Sequence, residues 1–191
     1  MTHIKVGVIG PTNVARVSQA TGIHAQVYEH TAWWVGAQLA RLGTALVVVP
    51  DRGVARHAMT GYRSAGGPWV IGLTPVGGEC DPEARSILRT GGSECDEIIS
   101  DLTWYEQHPR FCQVSDLMIC VGLSCGTAAE IAWTKWVKKP EVWVLSHTLS
   151  QVPPEMLAET PVRLLPNFPT LVAELAAWYR QRALNAGGLV A

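Results

Sequence analysis

The segment Asp116-Leu-Met-Ile-Cys-Val-Gly-Leu-Ser-Cys-Gly-Thr-Ala-Ala-Glu130-Ile131 narrows the folds open to this chain more than any other stretch. Leu117 to Val121 form a short apolar run of the kind buried in a sheet, and Gly122 to Gly126 make a loop without bulky obstruction. Thr127 and Glu130 have the spacing of a helix start. A strand that empties through a glycine loop into a helix directs the helix's unpaired N–H groups back over the loop, which is an anion site.

The rest of the chain repeats this rhythm. Ile4 to Ile9 is apolar and β-branched and stops at Gly10-Pro11-Thr12; Tyr28 to Leu42 has helical periodicity and closes at Gly43; Ala45 to Val49 is a second strand. Pro50-Asp51-Arg52-Gly53 leads to a helix over Val54 to Ser64, ended by Gly66-Gly67, and Trp69 to Leu73 is a third strand. Val76 to Cys95, with Gly77-Gly78, Asp81-Pro82 and Gly91-Gly92, reads as an irregular connection around one short helical turn, the length of a lid or binding loop. Asp96 to Ser100 reads as a strand, Trp104 to Val114 as a helix, and Thr127 to Val137 as a helix ended by Pro140. Glu141 to Leu145 is a further strand, Val152 to Pro154 and Pro161 to Pro169 read as loops, and Leu171 to Leu184 is a last amphipathic helix carrying Leu175, Trp178 and Tyr179. The expected fold class is α/β: one domain over residues 1–191, doubly wound, with a mostly parallel Rossmann-like sheet and helices on both faces. Ligands then bind beyond the carboxyl ends of the strands, where Gly10 to Thr12, Pro50 to Val54, Thr74-Pro75 and Gly122 to Thr127 should share one rim.

Composition sets the outer limits. Hydrophobic residues are 48% of the chain and charged residues 16%, which excludes disorder and leaves apolar surface for a subunit interface. The net charge is −1 and the longest basic run is Lys138-Lys139, so no nucleic acid and no membrane partner is expected. The amino terminus enters a strand without a charged-then-apolar leader, so a cytoplasmic location is expected. Five cysteines, Cys80, Cys95, Cys112, Cys120 and Cys125, contain no C-x-x-C pair and point to neither a disulfide framework nor a zinc site.

The candidate binding residues divide between three turns. Gly122 and Gly126 allow close approach to the main chain, and Ser124, Cys125 and Thr127 supply polar groups beside the helix start. Gly10, Pro11, Thr12 and Asn13 form a second anion-binding turn, with Thr12 or Asn13 capping the following helix. Arg52 and Gly53 follow the second strand, where the guanidinium offers a charged fork to phosphate. Thr127 and Glu130 also have the spacing of a capping box, with Thr127 at the N-cap and Glu130 bonding back, an arrangement that stabilises a helix with no ligand present.

The run Val121 to Ile131 resembles the G-G-x-G-T-x-x-E motif of the LOG family, once labelled lysine decarboxylases, and of the related molybdenum-cofactor carrier proteins. Val47 to Pro75 is similar to the family's other half-motif, through Gly53, Ala58-Met59, Ala65-Gly66-Gly67 and Val70 to Pro75, and Ile4 to Gly10 fits its first strand. The resemblance covers most of residues 4 to 146. It implies a Rossmann-like dimer with a pocket for a nucleotide phosphate or the molybdenum cofactor, no redox cofactor, phosphate contacts from Gly122, Ser124, Cys125, Gly126 and Thr127, and Glu130 facing a sugar hydroxyl or a scissile bond. Glu130 is catalytic only if the protein is an enzyme.

This chain departs from the family at three places. LOG phosphoribohydrolases place an Arg beside the Glu; the comparable stretch here, Asp101 to Tyr105, has none, and Arg110 and Arg85 are the candidates for a displaced cation. The loop Pro50 to Gly53 is bulkier than the family's glycines, and Gly122-Leu123 replaces a double glycine. The departures favour a carrier or sensor of a phosphorylated small molecule, with the LOG-type hydrolase second and an interaction protein without ligand third.

Other residues carry weaker signals. Cys125 sits where a helix start lowers a thiol's pKa, yet it also fits as a small loop residue. His24, His30, His57, His108 and His147 are scattered and read as solvated or core side chains, with no metal ligands among them. Trp33, Trp34, Trp133 and Trp136 fit the core or a dimer interface better than a stacking platform. The first turn lacks the G-x-G-x-x-G glycines of a dehydrogenase, and no acid ends the second strand, although Asp51 is close.

Overall fold

The computed structural model describes residues 3–76 and 82–187. Its elements alternate: β1 (Lys5–Ile9), α1 (Val14–Thr21), α2 (Ala25–Arg41), β2 (Ala45–Val48), α3 (Val54–Ser64), β3 (Val70–Leu73), α4 (Pro82–Gly92), β4 (Glu97–Ile99), α5 (Gln107–Val114), β5 (Leu117–Cys120), α6 (Cys125–Val137), β6 (Glu141–Leu145), α7 (Pro154–Glu159), β7 (Val162–Leu165) and α8 (Phe168–Gly187). The strands form one sheet in the order β4-β3-β2-β1-β5-β6-β7, and every pairing is parallel. From β1 the chain winds outward to β4, then returns to the other side of β1 at β5. The strand order therefore reverses between β1 and β5, with Val6 to Ile9 registered against Leu117 to Cys120.

Period-two alternation divides the sheet's side chains between two cores. Val6, Val8, Leu46, Val48, Leu117, Ile119 and Trp143 face one side, against α2, α3 and α8; Ile9, Val47, Met118, Cys120, Val142 and Val144 face the other, against α5 and α6. Helices thus cover both faces, and the sheet is doubly wound and Rossmann-like, as the alternation of segments implied. Two close approaches set the helix positions. An added Cβ on Gly36 would meet the Ala58 carbonyl and one on Gly61 the Trp33 carbonyl, so α2 and α3 touch backbone to backbone. At Gly7 a Cβ would stand 2.7 Å from Ser115 Oγ and inside the Phe111 ring's contact distance, so glycine there lets α5 settle onto β1.

Several expected elements change. Part of the connection from Val76 to Cys95 is the eleven-residue helix α4, built on Pro at its first position and on good helix formers, with Leu88 buried. Its terminal Gly91 packs against the Pro50 carbonyl and so belongs to a helix contact instead of a loop. Gly77-Gly78, Cys80 and Asp81 lie outside the described residues. The stretch from Val152 to Pro169 holds α7 and the edge strand β7; the flanking prolines read as loop punctuation, but Pro154 opens a helix and an edge strand tolerates prolines beside it. Nor do the paired tryptophans fill the core: Trp34, Trp133 and Trp136 are exposed, and the fully buried tryptophan is Trp143 of β6, edge-on to Trp178. No helix among the described residues is long and apolar enough to cross a membrane.

Candidate functional site

A cavity of about 250 Å³ opens at the carboxyl ends of β1 and β5, at the switch point. Three of the four expected turns meet there, represented by Gly10 and Thr12 after β1, Asp51 after β2, and Ser124, Gly126 and Thr127 after β5; α6 adds Glu130. Thr74-Pro75 do not reach it. From the α5 side come Trp104, Gln107, His108 and Phe111.

The α6 start differs from the expected capping box. Ser124, in extended backbone, is the N-cap: its Oγ accepts from Thr127 N at 3.3 Å and lies 2.9 Å from Thr127 Oγ1. Thr127 is thus inside the first turn, and Glu130 is carried one turn further along, where its side chain faces the cavity instead of bonding back. The shift arises because Ser124 satisfies the Thr127 N–H that Thr127 as N-cap would have left to Glu130. The first N–H groups of a helix have no partner within it. With Thr127 N satisfied, those of Cys125 and Gly126 remain, beside a Gly126 whose added Cβ would meet nothing within 4 Å.

Other expected binding residues shape the rim from behind. Pro11 accepts from Val54 N through its carbonyl at 3.1 Å, and Gly53, at φ 65°, packs its α-carbon on the carbonyls of Pro11 and Thr12. Asn13 caps α1 by accepting from Arg16 N at 3.0 Å. Gly122, at φ 85°, donates to Thr148 Oγ1 and is pressed against the Tyr28 ring. Cys125 is exposed. Arg52 ion-pairs with Asp51 and lines an adjoining cavity of about 300 Å³ with Arg56 and α4. None of these six lines the switch-point cavity.

Glu130 is buried in the cavity wall, at 8% exposure. The side chain facing it is His108, with Nδ1 3.7 Å from Oε1; that nitrogen is itself buried without a hydrogen bond. Burial is the main influence on the Glu130 carboxyl and pushes it above the ordinary value, while the imidazole pulls the other way. Glu130 in turn helps burial hold the Cys112 thiol up at about 12. Arg110 does not take the family Arg's place. It lines a separate cavity with Lys5 and Asp116, which stand at the amino ends of β1 and β5, the opposite edge of the sheet. Arg85, on α4, is not among the residues lining the switch-point cavity.

Sequence reasoning passed over His108, Gln107 and Trp104, although the signal was present. Trp104, Gln107, His108 and Phe111 have the i, i+3, i+4, i+7 spacing of one helical stripe, and Phe111 anchors it on β1. Asp51 was noticed but set aside; it is 7% exposed and belongs to the cavity wall. Among the described residues no group of three or more His, Cys, Asp or Glu is arranged to hold a metal ion.

Comparison with solved structures gives the same architecture. The Moco carrier protein from Chlamydomonas reinhardtii matches with a TM-score of 0.63 at 24% identity, over 96% of this chain and 99% of that one. The molybdenum cofactor binding protein from Rippkaea orientalis matches with a TM-score of 0.66 at 19% identity, over 93% and 98%. DNA processing protein A from Helicobacter pylori, described for its single-stranded DNA binding, matches with a TM-score of 0.63 at 17% identity, over 93% and 82%. At these identities the likeness establishes the fold. No protein of curated function matches the chain in sequence. The model of one family spans residues 3–165, from β1 through β7, and includes every residue that lines the cavity: the chain belongs to the SLOG cluster4 family.

Proposed function

We propose that the switch-point cavity binds a phosphorylated small molecule, a nucleoside monophosphate or the molybdenum cofactor, and that the protein acts as its carrier or sensor. The observation that carries this reading is the start of α6, where the Cys125 and Gly126 N–H groups stand beside the open face of Gly126. A phosphate placed there gains the helix dipole and charge-assisted hydrogen bonds of roughly 1.5–3 kcal/mol each. Thr12, Ser124 and Thr127 offer hydroxyls on the same rim. The fold shared with molybdenum cofactor carriers supports a carrier role, and the opposite-edge placement of Arg110 weighs against the LOG-type hydrolase.

One observation favours that hydrolase as the second reading: a buried Glu130 with an imidazole 3.7 Å away resembles a positioned acid and its partner. The experiment separating them incubates the purified protein with AMP, GMP, CMP and UMP and follows free base by chromatography, alongside thermal unfolding with each nucleotide and with molybdopterin. A carrier raises the unfolding midpoint without base release, and a ligand at 100 times its dissociation constant adds about 2.7 kcal/mol. Base release that disappears in Glu130→Gln replaces the carrier with the hydrolase. No shift with any ligand leaves a protein whose α6 start is only a capped helix.

The reading also includes a cytoplasmic homodimer with no nucleic-acid or membrane partner. Exposed Trp34, Trp133 and Trp136 support self-association. Sedimentation equilibrium should give twice the 20.7 kDa chain mass.

A further inference from the structure

The sheet carries a second cavity, of about 410 Å³, at the amino edge opposite the switch point. Strand alternation prepares it. Val6 and Val8 belong to the core under α2 and α3, and Ile9 to the core under α5 and α6, so Lys5 shares the face of Ile9. Asp116, just ahead of β5, is its neighbour and accepts from Lys5 N. On α5, Arg110, Gln113 and Val114 have the i, i+3, i+4 spacing of one stripe, so the helix that gives Gln107 and His108 to the switch-point cavity gives these three to the other. Lys139 joins them from the turn between α6 and β6.

The two cavities differ in charge. The switch-point walls include neither Lys nor Arg, whereas this cavity sets Lys5, Arg110 and Lys139 against Asp116 and Glu97. Both acids already have donors: Asp116 Oδ2 accepts from Lys5 N at 2.9 Å, with Lys139 Nζ 4.0 Å from Oδ1, and Glu97 Oε2 accepts from Trp69 Nε1 at 3.3 Å. The Lys5 ammonium and the Arg110 guanidinium have no ion pair among the described residues. Lys5 is half-buried, and a lysine drawn into a wall is seldom left without a partner. Asp116 opposes an incoming anion, and Lys139 offsets that charge in part.

The cations come from three segments, so a single anionic group cannot meet them all. The cavity lies within the roughly 300–1,000 Å³ common for ligand sites, and inorganic phosphate would leave most of it empty. Ile99 and Val114, both packed on the core, give an apolar wall for a carbon frame. We propose that this cavity binds a small organic polyanion, a tricarboxylate or a bisphosphate ester, with the Arg110 guanidinium as a two-pronged clamp on one anionic group and Lys5 on another. The site needs no ligand at the switch point, so it stands or falls apart from the carrier reading.

The test is isothermal titration of the full chain with citrate, fructose 1,6-bisphosphate and inorganic phosphate at one ionic strength, in wild type, Arg110→Gln, Lys5→Gln and Gly126→Ala. The wild type should bind citrate or the bisphosphate about tenfold or more tightly than inorganic phosphate; the tighter of the two identifies carboxylate or phosphate ester as the class. Arg110→Gln and Lys5→Gln should each weaken that binding about tenfold, the loss expected for a hydrogen bond between charged groups, and Gly126→Ala should leave it unchanged. Arg110 is exposed, so its replacement leaves the core intact. Equal binding of all three anions by the wild type overturns the proposal, and this comparison needs no variant to fold. Binding lost in Gly126→Ala but kept in Arg110→Gln belongs to the switch-point cavity and overturns it too.

Discussion

At Gly126 a side-chain methyl would meet no atom within 4 Å and the backbone needs no positive φ, so nothing in the fold requires glycine there. Gly126→Ala should therefore keep or raise stability, by about 0.5 kcal/mol through the unfolded chain. The same methyl occupies the edge of the cavity, so AMP affinity should fall at least about tenfold, read by titration beside thermal unfolding; unchanged affinity would move the phosphate elsewhere. Gly122 is the opposite case, since its φ of 85° and the Tyr28 ring demand glycine whatever is bound. The two glycines look alike in the G-x-x-x-G run and separate only when their neighbours are known. Glu130 shows the same limit: its spacing from Thr127 fits a capping box, and only the extended backbone at Ser124 moves the cap three residues earlier.

At the scale of elements, α6 depends on that cap. Ser124→Ala should cost about 1 kcal/mol, measured by denaturant unfolding, and free the Thr127 N–H. The α2–α3 pair depends on Gly36 and Gly61 meeting the opposite backbone; Gly61→Ala should destabilise by about 1–3 kcal/mol because neither helix can yield without moving Tyr62 and Val35 in the core. Strands β1, β2, β3, β5 and β6 were legible because buried parallel strands are continuous apolar runs. Edge strand β7 was not: Arg163 and Leu164 are exposed, so its pattern carries little burial signal, and its pairing with β6 supplies what local sequence lacks. Helix α4 was hidden by its glycines, which punctuate a loop in sequence and here meet Pro50 and Thr74.

For the molecule as a whole, the buried pair at the switch point links stability to pH. The folded protein holds the Glu130 proton more tightly than the unfolded chain, so this group's contribution is fully present below its ordinary value of 4.5 and is lost as pH rises through the raised one. Denaturant unfolding of wild type and Glu130→Gln from acid to neutral pH should show the wild type losing stability relative to the variant as pH rises; a constant difference would mean that Glu130 ionises as it does in the unfolded chain. The cavity itself combines β1, β2, α5 and α6, which lie far apart along the chain. Gly10, Thr12, Ser124, Gly126, Thr127 and Glu130 could be named beforehand because turns after parallel strands face one edge. His108 was not given a role because it lies on α5, away from the glycine turns, and Asp51 because its turn was read for the Arg52 guanidinium and the Gly53 backbone.

The amino-acid sequence alone determined the alternating α/β order, the parallel sheet and the glycine turn that leads from β5 into α6, because strand burial and helix starts are written in local periodicity and small residues. Tertiary structure decided which charges meet. It put His108 against Glu130, sent Arg110 to the opposite edge and buried Asp51 in the cavity wall. Those outcomes depend on how α5 packs on Gly7 and where the strand order turns, and both are contacts between residues that no local pattern connects.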